Sequence, residues 1–198
     1  LEAQRLAGES QLRLLRAQLE PHMLFNTLAN LRSLVDVDPK RAQVMIDRVI
    51  LYLRGTLAAS RQESVTLGQE FAQLSAYLEI MALRMGPRLS FEFALPQPLE
   101  PFAVPPMLLQ PLVENAIKHG IEPKIGPSAI RVVAQAGPGF VEIVVDDTGL
   151  GLRDNATDAG YGVAHVRDRL RATYGERATL SLDANPGGGT RAVVRIPA

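Results

Sequence analysis

The chain has 198 residues, 46% of them hydrophobic, enough to bury one large core or two small ones. Its 21 Lys and Arg balance 21 Asp and Glu, which excludes a whole-molecule field that gathers nucleic acid or an anionic membrane, so any site for an anionic group must be local. The absence of cysteine removes disulfides, thiolate nucleophiles and Cys-bound zinc, fits a reducing compartment, and leaves His22, His119 and His165 as the only imidazoles.

Along the chain, Leu12, Leu15, Leu19 and Met23 recur at helical spacing, and Leu24, Leu28, Leu31 and Val35 continue the pattern, so residues 1–35 read as one long amphipathic helix. Pro21 is expected to weaken or kink it just before His22, because proline donates no backbone hydrogen bond and clashes with the preceding turn. Asp38 is placed to cap a second helix that starts at Pro39 and carries an apolar face of Met45, Val49, Leu53 and Leu57. Two such helices cannot bury both stripes against each other, and a dimer that closes a four-helix bundle is the economical solution. A third helix is predicted over 67–85, ended by Gly86 and Pro87.

Beyond Pro87 the pattern changes. Strands are predicted over 89–95, 130–134, 140–145, 180–182 and 191–196, with helices over 105–118 and 163–174 and a Gly-, Asp- and Asn-rich loop over 147–162. The fold class is therefore an α-helical dimerisation hairpin, residues 1–62, followed by an α/β two-layer sandwich, residues 63–198. No apolar run is long enough to span a bilayer, and the first residues lack the apolar core of a signal peptide. Because Leu1 stands in a segment that already reads as helix, a sensory or membrane region is expected upstream of it.

Three segments of the second part carry chemistry. Glu114 and Asn115 lie near the end of a helix otherwise apolar on one side; the Asn115 amide oxygen suits Mg²⁺, and Lys118, about one turn on, suits phosphate oxygens. The strand ending in Asp146-Asp147 runs into Gly149 and Gly151, placing a carboxylate that can accept from an exocyclic amine beside a backbone that lets a ligand approach. Gly160 and Gly162 open the next helix, where free backbone N–H groups can hold phosphate. Taken singly, each segment also reads as a solvated helix end, a capped β-turn or an ordinary loop.

In this order and spacing the three segments resemble the ATP-binding domain shared by histidine kinases, gyrase-type topoisomerases, the Hsp90 chaperone and MutL, the Bergerat or GHKL fold. That resemblance covers roughly residues 88 to 198. It implies that Asn115 holds Mg²⁺, that Asp147 reads adenine, that Gly149, Gly151, Gly160 and Gly162 bound a lid over the phosphates, and that Thr190 lies near the adenine. Upstream, the segment from Gln18 to Leu28, with Glu20, Pro21, His22, Phe25 and Asn26, is very similar to that of LytS-type sensor histidine kinases. Residues 76–80, 110–115 and 166–170 match the same group. The resemblance implies that His22 is the phosphoacceptor, phosphorylated from ATP and discharged to an aspartate of a response regulator receiver domain, often one with a LytTR domain. It further implies a homodimer, the cytoplasmic portion of a bacterial inner-membrane sensor, joined to the membrane only by a missing upstream region.

For the reaction, neutral imidazole attacks in line and a proton leaves its other nitrogen. Many histidine kinases carry an acidic residue directly after the His, where Met23 stands here, so Glu20 is the nearest N-terminal candidate base and Asn26 is placed to orient the ring. ATP-hydrolysing relatives carry a carboxylate four residues before the metal-binding Asn; Pro111 occupies that place, which favours a kinase over a dedicated ATPase. His119 reads as a helix-end residue beside the nucleotide rather than as a catalyst. His165, where relatives usually have Asn, keeps open the alternative of a catalytically weak, nucleotide-binding signalling scaffold.

Overall fold

The computed structural model describes residues 21–151 and 161–198, and the side chains of Pro21, His22 and Tyr161 are outside that description. The expected helix over residues 1–20 with its kink, together with Glu20 and Gly160, lies outside the described residues.

Helix α1 (Pro21–Val37) and helix α2 (Pro39–Ala59) form a hairpin that turns at Asp38. The Asp38 carboxylate accepts from the Arg41 N–H at 3.0 Å, and Pro39 fills the first helical position, where its missing N–H costs nothing. Such a cap is worth about 1 kcal/mol. The buried hydroxyls of Thr27 and Thr56 donate back to the Met23 and Tyr52 carbonyls, so neither is left unsatisfied inside the hairpin. Helix α3 (Leu67–Met85) opens on a reciprocal box in which Thr66 and Gln69 satisfy each other's backbone N–H. It ends at Gly86, whose φ of 64° suits glycine.

Five strands follow in the order β2-β4-β5-β7-β6: β2 (Leu89–Ala94), β4 (Ser128–Gly137), β5 (Phe140–Asp147), β6 (Thr179–Ala184) and β7 (Thr190–Pro197). The β2 and β4 pair is parallel and the remaining pairs are antiparallel. Alternation sorts the two faces. Ile130, Val132, Ile143, Val145, Val194 and Ile196 are buried under the helices. On the opposite face Glu92, Arg131, Asp146, Arg191 and Asp183 stand in register across all five strands with alternating sign. Two short strands, β1 (Val65–Thr66) and β3 (Ala103–Val104), pair antiparallel beside the start of α3 and were not foreseen.

The helix expected over 105–118 is corrected. Residues 105–109 are a turn in which Met107 takes φ 56°, the one non-glycine residue of positive φ among the described residues. Such a conformation costs of order 1–3 kcal/mol and persists only where its surroundings impose it. Helix α4 (Gln110–Asn115) then runs directly into a π-helical stretch, Ala116–Ile121. Helix α5 (Tyr161–Tyr174) begins two residues before the expected position.

Candidate functional site

The site is built around the end of β5. Period-two alternation separates the two adjacent carboxylates: Asp146 points to the outer face and receives both Nε and Nη2 of Arg191, at 2.7 and 2.8 Å. Asp147 turns inward and is 3% exposed. Its Oδ1 accepts from Gly149 N–H at 2.7 Å, and Thr190 donates through backbone and side chain. Burial pushes its carboxyl above the ordinary range, an effect opposed by the Gly149 and Thr190 hydrogen bonds and reinforced by neighbouring Asp146.

Three glycines make the close approach to Asp147 feasible. A Cβ on Gly149 would lie 2.3 Å from the Gly120 carbonyl carbon, one on Gly189 would lie 2.1 Å from the Asp147 carbonyl oxygen, and one on Gly120 would meet Asp147 Oδ1 at 2.9 Å. The π turn delivers Gly120 to this place: Glu122 N–H reaches back five residues to Ile117 O, and Leu150 N–H donates to Gly120 O at 3.0 Å. Gly120 and Gly189 were not singled out in the sequence, because their role is to approach β5 from distant elements.

Asn115 is the last residue of α4 and half-buried. Lys118 stands in the π-helical stretch, exposed, and lines a small cavity with Met23, Tyr77, Met81, Arg84, Ile117 and Glu122. His119 and His165 are exposed. Gly151 takes φ 82°, and a Cβ on Gly162 would touch Pro111 at 3.3 Å, so this glycine seats α5 against α4. Among the described residues no group of three or more His, Asp or Glu side chains is arranged to hold a metal by itself. A cation at Asn115 would therefore complete its shell with ligand oxygens and water, as Mg²⁺ commonly does.

The hairpin is fastened to this region. Met23, the residue after His22, is 3% exposed within the core and lines a small cavity together with Tyr77, Met81, Ile117 and Lys118, the last two being two and three residues past Asn115. Burying a methionine side chain in this way contributes roughly 1.5–3 kcal/mol. Tyr52 of α2 is buried, accepting at its hydroxyl from Gln110 Nε2 at 3.2 Å, while the same nitrogen lies 2.9 Å from Glu114 Oε1. Gln73 of α3 donates to Tyr52 O and Thr56 Oγ1. Asn26 is half-buried one turn beyond His22.

Sequence reading missed Glu70. It lies on the apolar stripe of α3 between Leu67 and Leu74, and a charge on such a stripe was the available signal. Burial pushes its carboxyl up from 4.5 to about 7, against the lowering effect of the backbone N–H groups it accepts and of nearby Arg169. Because the folded-state value is raised, the stabilisation tied to the bound proton is complete below about pH 4.5 and lost as pH rises through about 7. Urea unfolding between pH 5 and 8 is expected to show the chain losing, relative to Glu70→Gln, on the order of 3 kcal/mol with rising pH. A difference independent of pH would contradict the buried environment.

Comparison with known proteins places this architecture. Residues 10–89 match the histidine kinase family model, and residues 106–198 match the model described as histidine kinase-, DNA gyrase B-, and HSP90-like ATPase. The chain belongs to the sensor histidine kinases, LytS type. Sensor histidine kinase YesM of Bacillus subtilis (strain 168) is 32% identical over 100% of this chain and 35% of its own length. Sensor histidine kinase BtsS of Escherichia coli (strain K12) is 33% identical over 100% and 37%, and sensor protein LytS of Staphylococcus haemolyticus is 28% identical over 94% and 34%. This histidine kinase chain thus spans little more than a third of the length of these relatives. In fold it is similar to the histidine kinase domain of the blue-light activated histidine kinase EL346 of Erythrobacter litoralis, with TM-score 0.58 and 16% identity over 95% of this chain and 91% of that one. It is likewise similar to the ATP binding domain of PrrB from Mycobacterium tuberculosis, with TM-score 0.52 and 24% identity over 68% and 96%.

Proposed function

We propose that this chain is the kinase portion of a two-component sensor: it binds ATP at Asp147, receives the γ-phosphoryl group on His22, and passes it to an aspartate of a response regulator receiver domain. The observation that carries this reading is the buried Asp147 carboxylate, hydrogen-bonded by Gly149 and Thr190 and walled by Gly120, Gly149 and Gly189. It is a compact acceptor for an exocyclic amine, with glycine backbone in place of side chains. The place of Met23, buried and lining one cavity with Ile117 and Lys118 of the turn that follows Asn115, supports His22 as acceptor, since it sets the residue next to the imidazole on the same side of the core as that turn.

In this reading Asp147 and Thr190 read the base, Gly149, Gly151, Gly160 and Gly162 shape the passage to the phosphates, and Lys118 and His119 flank that end. Mg²⁺, held by the Asn115 amide oxygen, supplies charge neutralisation on the phosphate oxygens. Asn26 orients the His22 ring and Glu20 takes its proton. The division of roles falls at residues 62 and 63, the phosphoacceptor and dimerisation region before it and the catalytic domain after. Incubation with γ-labelled ATP and Mg²⁺ tests the whole: acid-labile, base-stable label on the protein is the expected result, and retained ATP binding without label would favour the signalling scaffold.

The active form is a homodimer. Phe25, Leu28, Val35, Ile46, Ile50 and Leu57 remain exposed on the hairpin, an apolar surface that a second hairpin would cover. Ile50→Glu with Leu57→Glu is expected to shift the molar mass in light scattering from dimer to monomer while the thermal transition of the α/β part is kept. An unchanged dimer would place the interface elsewhere. The receiver partner is of the class linked to LytTR domains, in keeping with the likeness to LytS. The chain acts as the cytoplasmic portion of an inner-membrane sensor, its anchor lying outside the described residues, among which no helix is long and apolar enough to cross a membrane.

A further inference from the structure

We propose that Glu70 is a positioning residue for Asn115: its buried carboxylate fixes the Met107 turn from which helix α4 is launched. The inference rests on the reading that Asn115 serves the metal–nucleotide end of the site.

Glu70 is 4% exposed, and its two oxygens are divided between successive amides of one turn: Oε1 accepts from Met107 N–H and Oε2 from Leu109 N–H at 3.0 Å, with Leu108 N–H also in reach. A second element grips the same turn, since Arg169 Nη1 of α5 donates to Pro106 O. Between these two contacts lies Met107, with its φ of 56°. A methionine gains nothing from a left-handed backbone and glycine would adopt it freely, so the surroundings must hold it there. The carboxylate is the group with the geometry to do so, because it faces amides that no strand or helix otherwise uses.

The lever is short. From Leu109 to Asn115 helix α4 rises only about 9 Å. A tilt of about 10° at its root would move Asn115 by about 1.5 Å, a displacement that matters for groups aligned on a reacting phosphate. Asp147 and Thr190, by contrast, stand on β5 and β7 and do not depend on Glu70.

That separation supplies the test. Affinities for Mg–ATP and for adenosine, which has no phosphate, are to be measured at pH 8 for the unaltered chain, Glu70→Gln and Asn115→Ala. Glu70→Gln is expected to weaken Mg–ATP on the order of tenfold, to leave adenosine within about twofold, and to speed hydrogen exchange at the Met107 and Leu109 amides. Equal weakening of both ligands, which a merely structural role would give, or unchanged Mg–ATP binding, overturns the proposal. Should Glu70→Gln fail to fold, Met107→Gly is added to it, because glycine accepts the turn without the clamp; a double variant that gains neither fold nor Mg–ATP affinity overturns it too. Asn115→Ala that keeps full Mg–ATP affinity sinks the underlying site reading, whereas loss in Asn115→Ala with none in Glu70→Gln sinks only the role of Glu70.

Discussion

Replacing His22 with alanine is expected to lower phosphoprotein formation from γ-labelled ATP at least about a thousandfold, the scale on which a removed nucleophile is felt. ATP affinity is expected to stay within about threefold of the parent. The two effects separate because the proposed base pocket is assembled from β5, β7 and the π turn, without a residue of α1. A phosphoryl group on imidazole nitrogen is lost in acid and kept in base, so the stability of the label reports the atom that carries it. Label of unchanged amount in His22→Ala would move the acceptor to another residue and dissolve the proposed function. Met23→Ala offers a milder companion: it removes a buried side chain that lines a cavity with Ile117 and Lys118 while keeping the imidazole, and slows labelling only to the extent that this packing is used in turnover.

Most of the helices and strands were legible because their signals are local. Asp38-Pro39, Thr66 with Gln69, and Gly86-Pro87 mark helix ends by backbone hydrogen bonding alone, and α3 falls over the expected 67–85. The Asp147 turn was legible for a similar reason, since a strand running into Asp-x-Gly-x-Gly restricts what the backbone can do there. Residues 105–109 were misread as helix because Pro105, Pro106 and Met107 are followed by a run of leucines whose spacing continues the α4 pattern. Pro111 ends the pattern on its N-terminal side, because it donates no backbone N–H and clashes with the carbonyl four residues back, so it is tolerated only in the first turn of α4. The Met107 N–H is taken instead by Glu70, 37 residues away and outside any local window. The π turn after Asn115 is hidden in the same way: its wider winding lets Gly120 O meet Leu150 N–H, a partner on a different element. Tyr52 carries no signal of its own in the sequence, because its hydroxyl contact with Gln110 depends on how the hairpin rests on α4.

Gly149→Ala is expected to abolish detectable ATP and adenosine binding and to lower the melting temperature by roughly 6–12 °C, corresponding to about 3 kcal/mol in a chain of this size. The added carbon would sit 2.3 to 2.5 Å from three backbone atoms of Gly120, and backbone on a π turn tied to Leu150 cannot retreat as a side-chain tip could. Relief requires the turn after Asp147 to lift from Gly120, which breaks the Gly149 hydrogen bond to Asp147 Oδ1 and leaves a buried carboxylate short of a donor. The same change removes both the shape of the pocket and the support of its acceptor, so binding fails before the fold does. Gly187→Ala is the matched control: its nearest neighbour to an added carbon is Asn185 Oδ1 at 3.9 Å, and it should melt within about 2 °C of the parent and bind normally. If Gly149→Ala bound adenosine as well as Gly187→Ala does, Gly120 and the Asp147 turn would not form one wall of the pocket, and the assignment of Asp147 to the base would lose its physical footing.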